Sequence, residues 1–188
     1  MPEPNANHVI IEHDKQIIQL SFTHEKTVLH IDYPEKLDTF RAITSEACGI
    51  ILKHLGITTL SRVGNRYQYI YGIGANEAEA LLTETGLITV PDKIASLGES
   101  VSWPHIRFTI HRGDISIKTQ VGYFERQYQL PVLPLGARID TSEMIFRGVS
   151  VDLDFFTVKA VDLGVFDVNE FISTKERSSR KMIDTFFA

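Results

Sequence analysis

EMIFRGVSVDLDFFTVKAV, residues 143–161, is the longest strand candidate in the chain, and its alternation sets the fold class. Alternate residues of a strand share a face, so Val151, Leu153 and Phe155 point one way and Asp152 and Asp154 the other. Such a strand is half-buried: the apolar side needs a covering layer and the acidic side needs water. Gly148 falls where a bulge would bend the run. The two aspartates carry two readings. As neighbouring carboxylates they are candidates for a divalent ion, with help from Asp162 or Glu143, because Mg²⁺ often takes only one or two protein carboxylates. The simpler reading is the solvated side of the strand, and the lack of a third ligand at a fixed spacing favours it. No metal site is assigned, and Asp152 and Asp154 are the metal candidates.

A second alternation lies at 61–72, SRVGNRYQYIYG, where Tyr67, Tyr69 and Tyr71 share one face and Arg66, Gln68 and Ile70 the other. A row of aromatics flanked by arginines is the composition of a stacking platform for single-stranded nucleic acid. It is equally the composition of an amphipathic strand whose tyrosines lean on a covering helix with their hydroxyls at the rim. The stretch lacks the glycine-punctuated basic-aromatic signature of RNA-binding sheets, which favours the second reading. Arg66 and the tyrosines should divide between two faces, while a bulge at Gly64-Asn65 would turn Arg62 onto either. Arg62, Arg66, Tyr67, Tyr69 and Tyr71 are the candidate ligand- or partner-binding residues.

Working outward, HVIIEHDKQIIQLSF and TVLHID have the period and turn residues of an antiparallel meander. Leu37, Phe40, Ile43, Ala47, Ile50, Ile51 and Leu55 then recur at helical steps before Gly56, which predicts a helix over about 37–55. ANEAEALLTETG predicts a short helix at about 76–85, capped by Asn76 and ended by Gly86. Residues 87–102 read as a connection with one strand at 87–90, IRFTIH and ISIKTQVGYF as a hairpin about RGD at 112–114, and QLPVLPLG at 129–136 as an edge or loop. Asp167 with Glu170 three residues on marks the start of a closing helix, about 167–187. Its stripe is apolar at both ends and polar in the middle, so the ends should pack and the centre not. Strands and helices do not alternate regularly, which predicts an α+β fold with a mostly antiparallel sheet and helices packed on it. We expect a flexible arm at 1–7 and a single domain over 8–188, with strand-strand-strand-helix halves at 8–90 and 103–188.

At 188 residues, 43% hydrophobic and 23% charged, the composition is that of a globular chain. A net charge of −5 argues against coating nucleic acid through the bulk field, so nucleic acid is not the expected partner. Cys48 stands alone, which excludes an intrachain disulfide and a cysteine zinc cluster, and it sits in the apolar half of a helix where a thiol packs rather than attacks. The seven histidines make no closely spaced ligand pair. GIGANEAE at 72–79 lacks the third glycine of a dinucleotide loop and the Lys-Ser/Thr of a P-loop. No cofactor is expected. No run approaches the roughly 18 apolar residues of a membrane span, and we expect a cytoplasmic protein without membrane contact.

Three features, TFRAITSEACGIIL at 39–52, Arg-Val-Gly-x-Arg-Tyr at 62–67, and VDLDFF at 151–156 followed by a helix ending in MIDTFF, resemble a sporadically distributed family of prokaryotic proteins of unknown function. The resemblance spans most of the chain and supplies no catalytic residues. Its patchy distribution implies accessory systems such as phage defence or toxin–antitoxin loci. The leading functional expectation is a non-enzymatic binding protein, a homo-oligomer or a subunit of a small complex, that holds a protein partner with a sheet face or edge. The alternatives are a small-ligand binder or enzyme with a pocket between sheet and helices, contacted by Arg62, Arg66 and Tyr67, and a single-strand nucleic-acid binder using the tyrosine row.

Overall fold

The computed structural model describes residues 7–13, 16–23, 25–31, 37–89, 91–98, 105–127 and 145–188. In chain order these form β1 (Asn7–His13), β2 (Gln16–Phe22), β3 (Thr27–Ile31), α1 (Leu37–Leu55), β4 (Thr59–Leu60), β5 (Gly64–Gly72), α2 (Ala75–Glu84) and α3 (Asp92–Ala95). They are followed by β6 (His105–Arg112), β7 (Ile115–Gln127), β8 (Ile145–Thr157), β9 (Val161–Asp162) and α4 (Val168–Phe186). The fold is α+β with antiparallel pairing, as the alternation predicts. The helix expected at 37–55 has those ends, and the short helix α2 and the closing helix α4 begin and end within a residue of the expected positions. Among the described residues no helix is long and apolar enough to cross a membrane.

The chain divides into two compact units. The first comprises Met1–Thr59 with Asp162–Ser173 and holds the meander β1-β2-β3 and helix α1. A turn between β2 and β3 is tied by Thr23, whose hydroxyl accepts from the backbone of Glu25 and Lys26 at 3.1 Å. Helix α1 ends on Gly56 at φ 60°, and Ile57 N–H closes back on the Leu52 carbonyl at 3.1 Å. In the same unit Asp167 Oδ1 accepts from Glu170 N–H at 3.0 Å, the cap that starts α4, and the Phe166 and Phe171 rings lie 5.5 Å apart.

The second unit, Leu60–Val161 with Thr174–Ala188, is built on a four-stranded sheet in the order β5-β8-β7-β6. Strand β8 is central, and Val149, Val151, Leu153 and Phe155 are its buried row. They pack with Tyr67, Ile117 and Val121 of the neighbouring strands and with Ala78 and Leu82 of α2 and Met182 and Ile183 of α4. One sheet face is thus covered by helix. The hairpin β6-β7 turns on Gly113-Asp114, with Gly113 at φ 59°, the conformation a two-residue hairpin loop needs.

Five local expectations are corrected. The cap of α2 is Gly74 rather than Asn76, and the Glu77 carboxylate accepts the Gly74 N–H at 3.1 Å. Residues 87–89 form no strand, because Ile88 N–H is taken by the Leu82 carbonyl in closing α2 around Gly86, φ 68°. Gly148 is no bulge: β8 keeps one register from Ile115 opposite Thr157 to Gln127 opposite Ile145, and Gly148 pairs in step with Gly72. The glycine answers a close approach instead, since a methyl there would run into the Tyr71 carbonyl of β5. Nor does a bulge occur at Gly64-Asn65, which pair in order with Phe156 and Phe155. Finally, the polar centre of α4 packs, with Ser179 fully buried. QLPVLPLG and residues 1–6 of the arm at 1–7 lie outside the described residues, and Asn7 opens β1.

Candidate binding face

The face of the four-stranded sheet opposite the helices is set by register. Arg66 of β5 stands beside Asp154 of β8, then Lys118 of β7 and Thr109 of β6. The next outward row is Gln68, Asp152, Gln120 and Arg107. Arg66 reaches diagonally, with Nε donating to Asp152 Oδ1 at 2.7 Å and Nη2 donating to Oδ2, a bidentate pair. Arg62, just ahead of β5, donates from Nη2 to Asp154 Oδ2 at 2.9 Å. Its guanidinium carbon sits 4.1 Å from the centre of the Phe156 ring, and Lys118 Nζ lies 5.4 Å from the same ring. Both Nε and Nη2 of Arg107 donate to Gln120 Oε1, at 3.1 and 2.6 Å. The hydrogen bond to Asp152 holds Arg66 above its ordinary pKa.

Depth separates the two signs of charge. The Asp152 and Asp154 side chains are 12% and 25% exposed, whereas Arg66 and Arg62 are 66% and 48% exposed. Carboxylates form the floor and cations the rim.

The tyrosines lie on the other face. Tyr67 is buried edge-on to Phe155 at 6.1 Å, and its hydroxyl accepts from Asn65 Nδ2 at 2.7 Å. The Tyr69 hydroxyl meets Ser179 Oγ of α4 at 2.7 Å, and the Tyr71 ring stands 5.1 Å from that of Phe187. Burial pushes all three phenols up in pKa. The five candidate residues therefore separate: Arg62 and Arg66 share the open face, and Tyr67, Tyr69 and Tyr71 pack under helix. Arg62 and Arg66 thus stand on the opposite face of the sheet from Tyr67.

Each metal candidate is held by an arginine, Asp152 by Arg66 and Asp154 by Arg62. Asp162 Oδ1 accepts from Gly164 N–H at 2.8 Å in its own turn, and Glu143 lies outside the described residues. Among the described residues no group of three or more metal-ligating side chains occurs. Burial pushes the Cys48 thiol up, which keeps it protonated near neutral pH and a poor nucleophile.

Lys118, Gln120 and Arg107 complete the face and were not singled out from sequence. Their signal is the hairpin itself: once the loop is placed at Gly113-Asp114, alternation puts Lys118 and Gln120 opposite in sense to the buried Ile117, Thr119 and Val121. No protein-family model, curated protein or solved structure matches the chain.

Proposed function

We propose that this is a non-enzymatic binding protein that assembles with a protein partner, or with copies of itself, through the open face of the four-stranded sheet. It would serve as a subunit of a small prokaryotic accessory complex of the kind the sequence motifs imply, a defence or toxin–antitoxin system. One observation carries the proposal: a sheet covered by helices on one side presents on the other a charged surface held in place by its own ion pairs. Its carboxylates are engaged by arginines, so the face offers fixed charge and hydrogen-bond donors rather than a poised base. The tyrosine row, which the nucleic-acid alternative requires, packs against α4 and Phe155. Size-exclusion chromatography with light scattering, alone and after co-expression with the products of neighbouring genes, should show a dimer or larger species or a stable co-eluting complex. A monomer that retains none of those products overturns the proposal.

A further inference from the structure

We propose that the open face of β5-β8-β7-β6 docks an acidic polypeptide segment in extended conformation. The inference rests on the binding-protein reading and names the partner's chemistry. On this face Arg62, Arg66, Lys118 and Arg107 gather about the carboxylates of Asp152 and Asp154, which are deeper than the arginines that hold them. Two cations make no ion pair among the described residues: Arg107 is bound to the neutral Gln120, and Lys118, although opposite Asp154 in register, leans on the Phe156 ring while Asp154 is taken by Arg62. In a chain of net charge −5, this is a local concentration of the opposite sign, and it attracts anions.

The spacing selects an extended chain. Lys118 stands opposite Thr109, so Arg107 is its diagonal neighbour on β6, a relation that sets such pairs about 7–8 Å apart. An extended peptide returns a side chain to the same side every second residue, about 6.6–6.8 Å along. Acidic residues at alternate positions therefore meet Lys118 and Arg107 in turn. Arg66 keeps donors that its bonds to Asp152 do not use, and these are available to the same segment. A single-stranded nucleic acid fits less well. The Phe156 ring is already approached by Arg62 and Lys118, and the three tyrosines of the row that could stack bases are on the far face.

The test is fluorescence anisotropy of the full chain with a dye-labelled peptide alternating glutamate and serine, beside the lysine–serine analogue and oligothymidylate. The glutamate peptide should bind at low salt and weaken as salt rises, because the contacts are exposed. Lys118→Glu and Arg107→Glu should each weaken it about five- to tenfold, on the scale of one surface charge contact reversed. Lys181→Glu, on the exposed side of α4, should leave it unchanged. Absence of binding at low salt, equal losses in Lys118→Glu and Lys181→Glu, or preference for oligothymidylate each overturns the inference. Light scattering on the same samples separates the two levels: a protein that assembles but ignores the peptide defeats this inference and leaves the binding-protein proposal standing.

Discussion

At the residue scale the polar groups of the sheet differ by what surrounds them. Thr119 is fully enclosed on the helix-covered side of β7, and its hydroxyl meets no hydrogen-bond partner among the described residues. An enclosed, unmatched hydroxyl costs free energy, and valine has nearly its shape. Thr119→Val should therefore stabilise the protein by about 1 kcal/mol, read as a rise of roughly 2–4 °C in the melting midpoint. The Arg66–Asp152 pair should behave asymmetrically. Removing the arginine strands a carboxylate that is 12% exposed, whereas removing the carboxylate frees an arginine that already reaches water. Arg66→Ala is expected to cost about 1–2 kcal/mol more than Asp152→Ala in urea unfolding, and a double-mutant cycle gives their coupling. Asp152 was legible as a partner of alternation but not of Arg66, since 86 residues separate them in the chain.

At the scale of elements, periodicity placed the helices because α1, α2 and α4 each carry apolar residues at helical spacing. It misread the middle of α4. Ser179 looks like a solvated interruption in sequence, yet it is fully buried because a tyrosine hydroxyl from β5 supplies its partner at 2.7 Å. Gly148 was misread for a related reason. A glycine in a strand marks either a bulge or a close backbone approach, and sequence alone does not separate the two. Here β5 passes close enough that a methyl would meet the Tyr71 carbonyl. Gly148→Ala should push the Tyr71–Gly72 end of β5 off β8 and cost on the order of 2–3 kcal/mol. Hydrogen exchange should show the loss first in amides near Tyr71 and Ile73, whose backbone bonds to β8 cross this point.

At the scale of the molecule, the tyrosine row, with Tyr67 buried and Tyr69 and Tyr71 partly so, sets an alkaline limit. Desolvation raises Tyr67, Tyr69 and Tyr71 above the ordinary phenol value of about 10, so the folded chain holds these protons more tightly than the unfolded one. Their contribution is fully present below pH about 10 and is lost as the pH climbs through the folded values. Absorbance of tyrosinate should therefore show part of the six-tyrosine total ionising late and together with loss of circular dichroism. Ionisation of all six near pH 10 in a protein that keeps its spectrum would refute this. The sequence by itself determined what depends on neighbours along the chain: the helices, the turns at Gly56, Gly86 and Gly113, and which residues of each strand share a face. Tertiary structure alone decided which strands lie side by side, because pairing β8 between β5 and β7 joins residues from 18 (Gln127 with Ile145) to 92 (Gly64 with Phe156) positions apart. That choice gave the tyrosines to the helices and gathered Arg62, Arg66, Lys118 and Arg107 over two aspartates on the open side.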